Sequence, residues 1–196
     1  MFIDIASSTQ LFSKMDDEDV AAIFSDFVEK CTSIITKHNG VVNQTMGDGI
    51  YAVFGLDKKN SEHQCLMACL AAQEVLKTFR ENLKVRIGVH SGYCVLIDQK
   101  FKTQNALFPL VGEVINIAAH ICGMASPNGF FISEDSYETM KDSLEVFPAG
   151  LFINKEGIQK KVFSTKDSID FLKRFNVMKG DILLRYFGRN EEVETL

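Results

Sequence analysis

The chain has 196 residues, and 46% of them are hydrophobic, enough for one domain with a sizeable core and too many for a disordered chain. A net charge of −5 argues against nucleic acid as the main partner, and no apolar run is long enough to span a bilayer and no secretory leader is visible. The five cysteines (Cys31, Cys65, Cys69, Cys94, Cys122) form no Cys-x-x-Cys, so buried free thiols in a reducing cytoplasm are expected rather than a disulfide framework; the four histidines show no zinc spacing.

Residues 1–5 read as a short first strand in which apolar residues are broken by one acid, Asp4. Ser7, Ser8 and Thr9 follow as a small-residue loop. Such a loop suits an anion if its N–H groups are unpaired, and it suits an ordinary helix cap equally well. Residues 16–38 predict a long amphipathic helix with Val20, Ile23, Phe24, Phe27, Val28, Cys31, Ile34 and Ile35 on one face, acidic at its start and ended by Asn39-Gly40. Residues 41–46 and 50–54 are β-prone runs joined by Gly47-Asp48-Gly49, a tight hairpin turn with Asp48 at its tip. Alone, that acid is a turn former; with Asp4 on a neighbouring strand end it makes an oxygen pair suited to a hard divalent cation.

After a polar loop at 57–60, Ser61 is expected to cap a helix over 62–80, with Cys65, Leu66, Cys69, Leu70, Val75, Leu76 and Phe79 inward. Residues 84–90 read as a core strand ending in His90, a core or edge histidine, and 93–98 as a further extended stretch. Residues 100–105 are a polar turn. Residues 107–111 form a dense apolar run with Pro109 inside, which excludes a central strand. Residues 113–124 predict a helix apolar over much of its surface, with Glu113, Asn116 and His120 on one face, a pattern that suggests a lined cleft. Residues 130–132 read as strand, Ser133 caps a short helix over 134–140, and strands are expected at 146–147, 151–153 and 160–164. Residues 166–196 form an extension expected to pack on the domain or across a dimer.

Four blocks in order carry a resemblance: Phe2 to Thr9, Asn43 to Phe54, Val85-Arg86-Ile87-Gly88-Val89-His90-Ser91-Gly92, and Val111-Gly112-Glu113-Val114-Ile115-Asn116-Ile117-Ala118-Ala119-His120. Over residues 1–165 the chain resembles the catalytic domain of class III nucleotidyl cyclases, the adenylate and guanylate cyclase family. The resemblance implies an α+β fold with a ferredoxin-like βαββαβ core, a mixed or antiparallel sheet with packed helices, and a homodimer with shared active sites. It implies conversion of a nucleoside triphosphate to a 3′,5′-cyclic nucleotide and pyrophosphate with two Mg²⁺ or Mn²⁺ per site. Asp4 and Asp48 match the family's metal carboxylates, the Ile5 carbonyl its accessory ligand, the 7–9 loop its phosphate cradle, and Asn116 its ribose-orienting asparagine. Residues 107–111 match a segment that reaches the partner subunit.

The chain departs from the family in four places. His120 stands where the family has a transition-state arginine; imidazole is shorter and lacks the bidentate fork. Lys155 lies near a phosphate-binding lysine position, with Glu156 disturbing the match. The base-reading positions hold Gln44 and Pro109 in place of the purine-reading pairs. ATP is then favoured by the family's habit alone. The alternatives are a pyrimidine cyclase, using CTP or UTP, of the bacterial antiphage kind, and a degenerate cyclase domain that binds nucleotide or a partner without turnover.

Overall fold

The computed structural model describes residues 1–56, 63–97, 106–140, 144–153, 157 and 159–165. The expected loop at 57–60, the Ser61 cap, the turn at 100–105 and the extension at 166–196 lie outside the described residues. In chain order the elements are β1 (Phe2–Ile5), α1 (Ser8–Phe12), α2 (Asp17–Lys37), β2 (Gly40–Met46), β3 (Gly49–Phe54), α3 (Gln64–Phe79), β4 (Val85–Val89), β5 (Val95–Leu96), β6 (Leu110–Val111), α4 (Glu113–Met124), β7 (Gly129–Ser133), α5 (Glu134–Glu138), β8 (Val146–Ile153) and β9 (Gln159–Thr165).

One sheet runs β2-β3-β1-β4-β7-β9-β8, and β5 with β6 makes a separate two-stranded ribbon. The β2-β3-β1-β4 half is antiparallel and has the strand order of a ferredoxin-like core. β4 and β7 pair in parallel, which makes the whole sheet mixed. The alternation in β1 sends Ile3 and Ile5 into the core with Ile50, Ile87, Phe27, Ile35 and Val75. Phe27 of α2 meets Phe79 of α3 at 5.3 Å between ring centroids, and this contact joins the two helices over one face of the sheet. A smaller cluster of Ile121, Phe152 and Val162 packs α4 against β8 and β9.

Gly88 brings α4 close to β4. A Cβ there would overlap the Cys122 nitrogen and the Ala118 carbonyl oxygen, so helix and strand backbones touch without an intervening side chain.

Several expectations are corrected. The stretches at 146–147 and 151–153 are one strand, β8, with a bulge between Pro148 and Gly150. Pro148 is tolerated because β8 is the sheet's edge and needs no N–H on its outer side. The extended stretch at 93–98 shrinks to Val95–Leu96, whose ladder partner is only two residues long. Cys94 is exposed, unlike the buried Cys31, Cys69 and Cys122; all five thiols are free. Helix α4 begins and ends where expected, yet only Ala118, Ile121 and Cys122 are buried.

Candidate functional site

Asp4 and Asp48 come together because β1 pairs with the strand that leaves the hairpin. Asp4 lies opposite Gly49, one residue past Asp48, and Gly47 turns the hairpin with φ 59°, a conformation that glycine adopts without strain. The Asp48 carboxylate is close enough for its charge to act on Asp4. On the other side, Asp4 faces Arg86 of β4 across the ladder, and Arg86 Nε donates to Asp4 Oδ2 at 2.7 Å. Burial pushes the Asp4 carboxyl up, Arg86 pulls it down, and the Asp48 charge pushes it up again; the net direction is up. A cation placed beside Asp4 and Asp48 would offset both the burial of the Asp4 carboxylate and the neighbouring negative charge. The donor set is hard oxygen and fits Mg²⁺ or Mn²⁺. Among the described residues no group of three His, Cys, Asp or Glu side chains forms a metal cluster. The Ile5 residue, last of β1, adjoins Asp4 there.

Ser7 follows in a left-handed conformation (φ 59°), and its carbonyl accepts from Gln10 and Leu11 N–H, both at 3.1 Å. Ser8 and Thr9 belong to α1 rather than to a loop, and no side chain caps the helix, so neither the open-loop nor the Ser/Thr-cap expectation describes this turn fully. Its first-turn N–H groups have no capping side chain.

The other expected residues lie apart from the acids. Asn116 and His120 are exposed on α4. Among the described residues no hydrogen bond or ion pair links Asn116 or His120 to Asp4 or Asp48. The His120 ring tilts against Phe152 at 6.4 Å between centroids. Helix α4 is nonetheless tied to the acid end: Arg86 Nη1 donates to the Gly123 carbonyl at 3.5 Å and Cys122 Sγ to the Arg86 carbonyl at 3.4 Å. Gln44 is half-buried on β2 and Pro109 half-buried before β6, and their chain neighbours Asn43 and Phe108 are bonded to each other. Asn43 Nδ2 donates to the Phe108 carbonyl at 3.1 Å, and Phe108 N–H donates to Asn43 Oδ1 at 2.7 Å. Lys155 lies outside the described residues.

Two residues escaped the sequence reading. Arg86 carries a signal, a lone cation in an otherwise apolar strand. Asn43 carries a weaker one, a polar residue inside a β-prone run.

His90, expected as a core or edge histidine, places Nδ1 2.7 Å from Ser133 Oγ, which also caps α5 by accepting from Ser136 N–H at 3.2 Å. Burial holds the imidazole down at about 4, so it is neutral. It lines a cavity of about 710 Å³ with Met1, Cys65 and Val114, at the end of the sheet away from Asp4.

The comparisons with known proteins concern the family and the fold. The family model described as the adenylate and guanylate cyclase catalytic domain matches residues 1–177. Adenylate cyclase 1 of Rhizobium meliloti (strain 1021) is 27% identical over 142 residues, 66% of this chain and 21% of that protein. An uncharacterized protein of the same organism, R02095, is 26% identical over 204 residues, covering 98% of this chain and 19% of its own length. The chain thus spans about a fifth of the length of these curated relatives. Among solved structures, the guanylate cyclase domain of RhGC from Catenaria anguillulae in complex with GTP superposes with a TM-score of 0.73 at 19% identity, over 85% of this chain and 93% of that one. The adenylyl cyclase CyaB from P. aeruginosa gives 0.72 at 20% identity, over 85% and 92%. The acid pair at the hairpin, the ferredoxin-like sheet and the match over 1–177 lead to one conclusion: this chain belongs to the adenylate and guanylate cyclase catalytic domain family.

Proposed function

We propose that the chain converts a nucleoside triphosphate to its 3′,5′-cyclic nucleotide and pyrophosphate, as a homodimer whose two sites each draw on both chains. The observation that carries this reading is the separation of the parts: two facing acids at one place, and an uncovered Asn116–His120 helix face at another. Each is half of a site. A divalent metal pair would supply activation of the 3′-hydroxyl and neutralisation of charge at the α-phosphorus. Asp4 and Asp48 would hold it, with the Ile5 carbonyl as accessory donor. The uncapped turn at 7–9 faces phosphate oxygens with N–H groups, and Lys155 adds a cation. Asn116 from the second chain orients the ribose, and His120 donates to the developing charge. Gln44 and Pro109 meet the base. Residues 1–165 form the catalytic unit.

The apolar ribbon supports the dimer. Val95, Leu96, Leu107 and Val111 are all exposed, an apolar patch of the kind that monomers rarely leave open. The guanylyl cyclase domain of RhoGC from Blastocladiella emersonii, similar in fold, is described as a non-canonical dimer.

A second reading, a pyrimidine triphosphate as substrate, is favoured by Pro109. It has no polar side chain, and its carbonyl already accepts from Ile97 N–H at 2.9 Å, which leaves the purine-reading partner of Gln44 missing. Incubation with ATP, GTP, CTP and UTP separately, with Mn²⁺, and mass analysis of products tests both. A cyclic purine product supports the first substrate class and a cyclic pyrimidine product the second. Binding of nucleotide without any cyclic product would establish a non-catalytic domain instead.

A further inference from the structure

The residue next to the base-reading Gln44 is the most tightly held polar side chain of that region. β2 slips register against β3 between Val42, opposite Ala52, and Gln44, opposite Tyr51; Asn43 is the extra residue. Released from the ladder, Asn43 turns to the segment before β6. Its carbonyl accepts from Leu107 N–H at 2.8 Å. Its carboxamide pairs with both backbone groups of Phe108, accepting at 2.7 Å and donating at 3.1 Å. The residue is 4% exposed, so these bonds have no competing water. They bridge 65 positions of sequence.

We propose that Asn43 is a positioning residue for base recognition: it sets the distance between Gln44 and Pro109 and leaves the Gln44 carboxamide as the one side-chain hydrogen-bonding group of that pair. This rests on the nucleotide cyclase reading and deepens it. The segment bonded to Asn43 has several of its backbone polar groups engaged. Leu107 and Phe108 N–H donate to Asn43, Leu110 N–H donates to the Phe108 carbonyl at 3.0 Å, and the Pro109 carbonyl accepts from Ile97. Pro109 has no N–H. What remains is an apolar wall at fixed spacing and one primary amide. An amide offers one donor edge and one acceptor edge, and by rotating it pairs with either donor–acceptor order on a base. Selection among bases then comes from the spacing, a steric property, and the spacing comes from Asn43. A hydrophobic residue at 43 leaves the Phe108 N–H buried and unpaired, which releases the wall.

The test uses the full chain with Mn²⁺ and the four nucleoside triphosphates. Initial-rate kinetics and calorimetric binding are measured for wild type, Asn43→Val and Asn43→Asp. Asn43→Asp keeps the acceptor for Phe108 N–H and the volume, and serves as the foldable variant if Asn43→Val does not fold. Asn43→Val is expected to raise KM for the preferred triphosphate about tenfold with kcat little changed. It should compress the spread of kcat/KM across the four bases, with Asn43→Asp between the two. A purely structural role would scale all four values by the same factor, and that result overturns the proposal. Where the wild type binds triphosphates without turnover, the binding constants give the same comparison. A wild type that neither binds nor converts any triphosphate overturns the cyclase reading and this inference together, whereas unchanged ratios among the four kcat/KM values in both variants overturn the inference alone.

Discussion

In the proposed site His120 stands in for an arginine whose fork would stabilise the transition state, and its ring leans on Phe152. A single donor to developing charge is worth on the order of 10²–10³ in rate. His120→Arg is therefore expected to raise turnover about tenfold or more, and His120→Ala to lower it; three equal rates would show that this face of α4 does not touch phosphate. His90 gives a different kind of expectation. Its imidazole is held down at about 4 by burial, first of all, with Asp135 and Glu113 opposing and Lys160 assisting. The unfolded chain takes a proton near the ordinary 6.5 while the folded chain does not. Stability is thus whole above about 6.5 and falls as the pH drops from there toward 4, by on the order of 2–3 kcal/mol for the full shift. Urea midpoints at pH 7.5 and 5.0 for wild type and His90→Gln measure it. The drop should be smaller in the variant, and an equal drop in both would assign the acid sensitivity elsewhere.

At the level of elements, the decisive contact is α4 on β4 through Gly88. Gly88→Ala has no room for its methyl group, because the nearest atoms belong to the backbone of Ala118 and Cys122 and cannot rotate away. Overpacking of this kind costs about 1–3 kcal/mol, and here it also lifts the helix that carries Asn116 and His120. The variant should fold, melt lower and lose activity by more than its stability loss explains. Wild-type turnover in Gly88→Ala would mean that the α4 position is not critical. The same contact shows what could be read from the sequence. The bounds of α4 were legible because Gly112 precedes an apolar period and Ala125-Ser126-Pro127 follows it. Its seat on β4 was not, because periodicity reports which face is apolar and says nothing of how near two backbones come. Asp4 and Asp48 were legible as an acid in an apolar strand and an acid in a glycine turn. Arg86 and Asn43 were not singled out, since their roles depend on cross-strand neighbours: the 4–86 register for one and a bulge for the other. A bulge shifts every later side chain to the other face, and no local pattern around 43 announces it.

For the molecule as a whole, the proposed division of each site between two chains has an arithmetic consequence. Asp48→Ala and Asn116→Ala should each be inactive alone. In a mixed dimer one site collects both lesions and the other neither, and random exchange makes half the dimers mixed. Activity should return to roughly a quarter of wild type per chain. Fully exchanged mixtures that stay inactive, while both variants still dimerise, would rule out a shared site. The place of β1 in the sheet has a consequence of another sort, one of timing. β1 lies between β3 and β4, so its second partner, Val85–Val89, is synthesised some eighty residues later. At about 5–20 residues per second that is a delay of roughly 4–16 s. During it, the nascent strand waits as an apolar segment with an open edge. The charge of Asp4 interrupts that segment and keeps it from pairing with its like on neighbouring nascent chains. Asp4→Asn and Asp48→Asn should both abolish turnover, yet Asp4→Asn alone should lower the soluble fraction at high expression, and equal soluble yields of the two would refute this second duty of the carboxylate.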